Sequence, residues 1–284
     1  MAPDPLADLR RLSAEMERLA SPERTGRLGS SPRRRKAAPR GYFEATRTAT
    51  YGFLAALPLF ALYEVGVLLV QSGRAGQIRI GADVWLKQLL AMLGLTGWGW
   101  LLGLVLLVGA VVYWAERHRR PPLVPRYFGL IVAEGVLYAV LLAGLVGGTV
   151  GLLFGAHAWP AALPVLALSQ LQSLPPGLQI VLSIGAGLYE ELVFRVLLVG
   201  GSFLMLQRFF RGPWTAYAVA ALAGAFVFSA VHHTGPFGDP FLLSTFTFRF
   251  LFGLALNAVF LLRGFALAAW THALYDVLVV TGGL

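Results

Sequence analysis

The sequence contains no cysteine, and charged residues make up only 13% of its 284 residues. Without cysteine, the chain cannot form disulfides, thiol nucleophiles or cysteine-ligated metal sites. Soluble domains carry about 25% charged residues, and 57% of this sequence is hydrophobic. The composition therefore excludes an ordinary soluble domain and predicts a polytopic membrane protein.

Three familiar patterns are also missing from the sequence. There is no H-E-x-x-H zinc motif, and no internal repeat of the kind on which many transporters are built. The first charged residues are not followed by an apolar core within the length of a signal peptide. We therefore expect no cleaved leader and no architecture of paired halves.

The positive charge is concentrated near the N-terminus. Residues 1–40 hold ten of the 23 Lys and Arg residues and five of the 14 acidic residues, which supplies +5 of the net +9. The tract "SPRRRKAAPR" (31–40) precedes the first apolar run, as is typical of a cytoplasmic segment that contacts anionic lipid. No folded basic domain is present, so nucleic acid is not an expected partner. We predict a flexible arm over 1–40, with a short surface helix at 5–20, and a membrane bundle over 41–284.

Hydrophobic runs of about 20 residues, the length that crosses a bilayer, occur along the rest of the chain. They cover approximately residues 48–71, 96–115, 126–154, 178–206, 214–232, 242–262 and 264–282. Residues 84–96 are too short and charged to span, which favours an interfacial or re-entrant segment, and prolines break the apolar stretch 155–176 into a loop. The sequence predicts an all-α transmembrane bundle of about seven spanning helices and one interfacial or re-entrant segment.

Basic residues in the short loops predict the orientation of the bundle. The arm, the loops 116–126 and 207–213, and Arg263 alternate consistently as cytoplasmic. The N-terminus is then inside and the C-terminus outside. A composition rich in Ala, Gly and Arg suggests a bacterial source, and hence the inner membrane.

Ionisable residues within these apolar runs are costly, at about 2.5–3.5 kcal/mol each on the mildest scale, and they mark functional sites. They are Glu64, Glu134, Glu190, Glu191, Arg195, His232, Arg249, His272 and Asp276. We expect Glu64 and Glu134 to stabilise helix contacts, with Arg249 as a plausible partner.

The stretch "LYEELVFRVLL" (188–198) carries three of these residues. Glu191 and Arg195 are four apart with the acid first, which is the favourable order for an ion pair on one helix. Glu190 is rotated by about 100° from Glu191, so it cannot share that pair. One glutamate is therefore predicted to be held by its own helix, whereas its neighbour points elsewhere.

Two further stretches supply histidines. His232 ends the fifth run in "FSAVH" (228–232), and His272 and Asp276 share a face in "HALYD" (272–276). Carboxylates and histidines that converge in a bundle suit hydrolysis, because a carboxylate can act as general base and a histidine can stabilise an oxyanion. Structural pairing of the helices is the simpler alternative.

The three motifs "EELVFR" (190–195), "FSAVH" and "HALYD" resemble those of the CAAX-protease and bacteriocin-processing (Abi) family. That family's pattern is E-E-x-x-x-R, F-x-x-x-H and H-x-x-x-N or a close variant, on successive membrane helices. The resemblance covers about residues 178–284. It implies a helical bundle with a polar cavity within the membrane and an endopeptidase activity, which in eukaryotic and archaeal members acts on prenylated proteins.

The resemblance also implies roles for individual residues. Glu190 would be the base that activates water, and His232 would help to hold that water. Glu191 and Arg195 would be the supporting pair, as their spacing independently suggests.

In the third motif, His272 and Asp276 would bind the substrate carbonyl and stabilise the oxyanion. The prenyl-protease pattern has asparagine where this sequence has Asp276. A carboxylate donates no hydrogen bond unless it is protonated, so Asp276 is expected to orient His272 instead.

Two alternatives stay open. Glu190, His232, His272 and Asp276 are all acceptable Zn²⁺ ligands, although a metal-free glutamate mechanism without any cofactor is favoured. Alternatively, the chain is a non-catalytic transporter or an immunity or scaffold partner that uses the same polar cavity. For the protease, the expected partners are the lipid bilayer and a membrane-associated or exported protein or peptide substrate.

Overall fold

The computed structural model describes residues 41–71, 78–118, 121–155, 174–235 and 238–284. The predicted arm (1–40) and most of the predicted loop 155–176 lie outside these ranges. Within them the chain is helical, with no β-strand. The prediction of an all-α bundle is confirmed.

Ten α-helices are described, and one π-helical segment lies between the sixth and the seventh. They are α1 (Tyr42–Thr46), α2 (Ala49–Val70), α3 (Gly81–Met92), α4 (Gly97–Glu116), α5 (Pro125–Phe154), α6 (Pro176–Glu191), the π segment (Leu192–Gly200), α7 (Gly201–Leu206), α8 (Pro213–Val231), α9 (Leu243–Arg263) and α10 (Phe265–Val280).

Five of the described helices, α2, α4, α5, α8 and α9, are long and apolar enough to cross a membrane. The predicted run 178–206 is divided among α6, the π segment and α7, and α10 is shorter, at 16 residues. The count of seven spans therefore stays a prediction. The predicted interfacial segment folds as the twelve-residue α3, whose length of about 18 Å is too short to span.

Helices α2 and α4 pack antiparallel. Glu116, at the end of α4, accepts hydrogen bonds from the amides of Ala49 and Thr50, each at 2.9 Å. These amides begin α2 and have no partner within the helix, so the carboxylate satisfies them and complements the helix dipole. The opposite ends of the two helices flank α3.

Glycine allows α6 to lie against two neighbours at once. A Cβ atom at Gly185 would collide with the ring of Tyr63 in α2, and one at Gly187 would collide with Ala269 and Ala273 in α10. Only a residue without a side chain permits this approach of α6 to α10. The close contact brings the acidic end of α6 beside the motif on α10.

Glu134 of α5 is held at the end of the bundle near α1. It accepts from Arg263 Nε at 2.6 Å and from the Tyr42 hydroxyl at 2.6 Å; burial and then this hydrogen bond raise the pKa of Tyr42. The prediction that Arg249 is a partner of Glu64 or Glu134 is wrong, since Glu64 pairs with Arg79 and Lys87. Arg249 lies fourteen residues before Arg263 on α9, or about 21 Å along the axis, so it is far from the Glu134 that Arg263 holds. Arg249 pairs with Asp239 instead.

Candidate active site

Glu190 occupies the last turn of α6, and its side chain is 14% exposed. The chain then continues as a π-helix from Leu192 to Gly200, where the sequence predicts an uninterrupted α-helix. Segments of π-helix are rare and frequent at functional sites. The segment "LVFRVLLVG" contains no proline, and its single glycine, Gly200, is its last residue, so nothing at its beginning indicates the change.

Glu191 and Arg195 lie behind Glu190, fully buried. Arg195 Nε is 3.0 Å from Glu191 Oε2, although the N–H is not aligned for a hydrogen bond to that oxygen. The guanidinium also lies over the ring of Phe228, with its central carbon 4.5 Å from the ring centroid. This cation–π contact offsets part of the cost of burying the charge.

His272 is oriented by Glu191 across the α6–α10 contact. Its Nδ1 lies 2.7 Å from Glu191 Oε1, and because a carboxylate accepts, Nδ1 carries the donated proton. The sequence indicated Asp276 for this role, but Asp276 Oδ2 lies 3.6 Å from the other nitrogen, Nε2. Glu191, a residue of the first motif, therefore fixes the ring of the third.

His232 directly follows the last residue of α8. Its Nδ1 lies 2.6 Å from the carbonyl oxygen of Phe228, so this nitrogen is the donor. In the neutral ring the lone pair is then on Nε2, which lies 3.5 Å from Glu190 Oε2. The phenylalanine and the histidine of the second motif are thus joined by a hydrogen bond within one helical turn.

The three motifs converge on one carboxylate oxygen. Glu190 Oε2 lies 3.5 Å from His232 Nε2 and 4.0 Å from His272 Nε2. Asp276 lines the same cavity of about 70 Å³, which exceeds the ~10–15 Å³ that one water molecule requires. Each predicted site residue therefore lies at this cavity or, like Glu191 and Arg195, directly behind it.

Arg249 also lines the cavity, although no role at the site was predicted for it. It forms an ion pair with Asp239, which is almost completely buried. The amide of Asp239 donates to the carbonyl of His232 at 2.8 Å, and its carbonyl lies 3.2 Å from Nδ1 of His233. The pair therefore fastens the backbone on both sides of the turn that follows His232.

Tyr275 is a second residue that the sequence reasoning missed. It lines the cavity, and its buried hydroxyl has no hydrogen-bond partner among the described residues. Tyr275 is three residues after His272, a spacing that places two side chains on neighbouring positions of a helix surface. The sequence could therefore have indicated Tyr275 as a neighbour of His272 at the site.

The donor chemistry of the site is compatible with zinc. Both His232 and His272 are held through Nδ1 and direct Nε2 toward Glu190, as metal-ligating histidines commonly are. However, no three His, Asp or Glu side chains within the described ranges are placed to hold a metal ion. The zinc alternative, with Glu190, His232, His272 and Asp276 as ligands, would require these side chains to move closer together, and it stays a prediction.

Residues 172–278 match the family model described as Type II CAAX prenyl endopeptidase Rce1-like. The matched segment contains all three motifs, and the predicted resemblance to the CAAX-protease family is confirmed over these residues. No curated protein and no solved structure matches the chain. The family supports a peptidase in general, and the apolar helices indicate an integral membrane protein.

Proposed function

We propose that this CAAX prenyl endopeptidase-like protein hydrolyses peptide bonds within the membrane, with Glu190 as the base that activates water. One observation carries the proposal: Glu190 Oε2 faces the Nε2 atoms of His232 and His272 across a cavity that has room for water. The cavity lies among apolar helices, where an acid and two histidines are costly to keep without a function.

The first step is activation of a water molecule by Glu190. Both the carboxylate and the neutral His232 ring present acceptors, 3.5 Å apart. A water beside them can donate one hydrogen bond to each and direct an oxygen lone pair toward the substrate. Glu190 takes a proton from this water as its oxygen bonds to the carbonyl carbon of the peptide.

The second step is collapse of the tetrahedral intermediate. The carbonyl oxygen becomes an oxyanion, and His272 donates to it from Nε2 when both nitrogens of the ring carry protons. The C–N bond then breaks, and Glu190 returns its proton to the leaving nitrogen. The products are a carboxylic acid and an amine, and Glu190 regains its charge.

Glu191 and Asp276 have supporting roles in this proposal. Glu191 holds His272 by its Nδ1–H, which leaves Nε2 directed at the reacting atoms. Asp276 Oδ2, 3.6 Å from the same Nε2, stabilises a positive charge on the ring before the oxyanion forms. When the oxyanion develops, it replaces Asp276 as the acceptor.

The expected substrates are membrane-associated or exported proteins. The cavity of about 70 Å³ accommodates water but not a whole peptide, so most of the substrate must bind outside it or the lining residues must move. Basic residues such as Arg117, directly after α4, and Arg126, at the start of α5, support a cytoplasmic N-terminus. We propose the bacterial inner membrane as the location.

The test uses the purified full chain in detergent with two fluorogenic peptides, one farnesylated near a C-terminal CAAX sequence and one not. Glu190→Gln keeps size and polarity but removes the base, so it should fold normally and lose about 10²–10⁴ in cleavage rate. Cleavage of either peptide supports a peptidase, and comparing them identifies the substrate class. Full activity in Glu190→Gln would exclude Glu190 as the base.

A chelator separates the glutamate mechanism from a zinc-dependent version. The glutamate mechanism predicts equal cleavage with and without the chelator. Loss of cleavage that Zn²⁺ restores would assign the activation of water to a metal at the same residues. If folded protein cleaves no peptide under any condition, the non-catalytic alternative is favoured.

A further inference from the structure

A second cavity, larger than the catalytic one, lies where α2, α3 and the beginning of α4 diverge. Its volume is about 310 Å³, and it shares no lining residue with the cavity at Glu190. Glu64, Arg79 and Lys87 form its polar end, and Leu95, Trp98 and Trp100 are among its apolar walls. It is therefore amphipathic, with charge at one end and hydrocarbon at the other.

The polar end is an ordered ionic cluster. Lys87 Nζ lies 2.7 Å from Glu64 Oε1 and 2.6 Å from Asp83 Oδ1. Arg79 lies 3.0 Å from Glu64 Oε2 and 2.9 Å from Asp83 Oδ2. Although burial opposes its charged form, the hydrogen bonds to Asp83 and Glu64 raise the pKa of Arg79. Both cations are fixed in position.

The positive and negative groups of this cluster are not equally exposed to the cavity. The carboxylates of Glu64 and Asp83 are at most 2% exposed, whereas the side chain of Lys87 is 30% exposed. An ammonium has three protons; Lys87 donates one of them to Glu64, and Asp83 lies beside it as an ion-pair partner without an aligned hydrogen bond. The accessible charge at this end of the cavity is therefore positive, which suits an anion.

The apolar side of the cavity is open to lipid. Only 6% of the residues in the apolar stretch of α4 that could span a membrane are buried. Trp98 and Trp100 are 43% and 54% exposed. Tryptophans concentrate at the level of the lipid headgroups. The cavity therefore lies where a phosphate group and the start of an acyl chain meet in a bilayer.

We propose that this cavity binds one phospholipid, with its phosphodiester at Lys87 and Arg79 and an acyl chain along Trp98 and Trp100. The volume accommodates a headgroup, the accessible charge complements one negative phosphodiester, and the apolar walls continue toward the lipid phase. The proposal does not depend on peptidase activity, because its readout is binding.

The test is thermal unfolding of the delipidated full chain in detergent, with four additives compared. Phosphatidylglycerol and phosphatidylethanolamine should each raise the unfolding midpoint by on the order of 5 °C near saturation, because a ligand bound only to the folded state stabilises it. Diacylglycerol, which lacks the phosphate, and inorganic phosphate should not. An equal shift with diacylglycerol would indicate non-specific coating, and one with inorganic phosphate a free-anion site; either overturns the proposal.

Three variants locate the effect. Leu95→Trp places a larger side chain in the apolar wall without altering the ionic cluster and should reduce the shift, and Lys87→Gln should abolish it by removing the exposed cation. Arg117→Gln, an exposed cation at the other end of α4, should leave the shift unchanged. If Lys87→Gln does not fold, Leu95→Trp combined with Trp98→Ala decides: a full shift in that double variant, which changes both sides of the apolar wall, would overturn the proposal.

Discussion

The carboxylate of Glu191 lies 2.7 Å from Nδ1 of His272 and thereby joins the first sequence motif to the third. Its other oxygen faces Arg195 at 3.0 Å. One fully buried group therefore serves two partners, on its own helix and on α10. Glu190, the adjacent residue, is left to face the cavity, so two consecutive glutamates have different surroundings.

Glu191→Gln is expected to destabilise the protein by about 3–5 kcal/mol, because it leaves Arg195 charged and unpaired in the interior. Chemical unfolding in detergent measures this loss. A second variant, Glu191→Gln with Arg195→Met, removes the isolated charge and should recover part of the stability. If the single variant is as stable as the unmodified chain, the pair has no structural role.

The ion pair between Asp239 and Arg249 is expected to act on catalysis by positioning His232. Asp239→Asn keeps the main-chain hydrogen bond to His232 but loses the pair with Arg249. We expect kcat to fall 10- to 100-fold with little change in KM, since small displacements of a catalytic group are costly. Arg249→Lys should retain more activity than Arg249→Met. A normal kcat in Asp239→Asn would contradict the positioning role.

The sequence predicted those parts of the site that depend on local spacing. Glu191 and Arg195 are four residues apart, and their pairing follows from helix geometry alone. The partner of His272 could not be found in this way, because it depends on how closely α6 approaches α10. The pair Asp239–Arg249 was missed for the same reason: it joins a turn to a helix, and its geometry is set by tertiary packing.

The largest differences from the prediction concern the conformation of the backbone after Glu191 and the division of the apolar runs into helices. The π segment after Glu191 has the composition of an ordinary apolar helix, so no pattern in it distinguishes π from α. Hydropathy predicted the break between α9 and α10 at Arg263 to within one residue, but it gave no sign that the run 178–206 divides into α6, the π segment and α7. The helical class was predictable, since apolar runs in a membrane protein satisfy their backbone only as helices or barrels.

Tyr275→Phe tests whether the unpartnered hydroxyl acts on the substrate. Removing it should leave stability unchanged or slightly higher, since the buried group makes no hydrogen bond with the described residues. If the hydroxyl donates to substrate or water, kcat/KM should fall about 2- to 10-fold, equivalent to one hydrogen bond of about 0.5–1.5 kcal/mol. Peptide cleavage and thermal unfolding measure the two effects.

Tyr217→Phe is the matched control for that experiment. The Tyr217 hydroxyl donates to the carbonyl of Asn257 at 2.8 Å, between α8 and α9. Its loss should lower stability by about 1 kcal/mol and leave kcat/KM unchanged. A fall in kcat/KM without a loss of stability indicates a functional hydroxyl, and a loss of stability without a fall in kcat/KM indicates a structural one. An unchanged kcat/KM in Tyr275→Phe would exclude a functional role for its hydroxyl.

The approach of α6 to α10 depends on Gly187, and Gly187→Ala tests this directly. An added Cβ would meet both the backbone and the side chain of Ala273, neither of which can yield without moving a helix. Overpacking of this kind typically costs about 1–3 kcal/mol. Because the helices must separate, the 2.7 Å contact between Glu191 and His272 should lengthen, and cleavage should fall together with stability.

Gly144→Ala, on the exposed side of α5, is the matched control for Gly187→Ala. No atom lies within 4 Å of the position that its Cβ would occupy. Alanine favours helix over glycine by up to about 1 kcal/mol, so this variant should be as stable as the unmodified chain or more so. The same chemical change should thus act in opposite directions at the two sites. Equal stability of the two variants would show that α6 and α10 are not held at contact distance by Gly187, and the geometry proposed for catalysis would lose its structural basis.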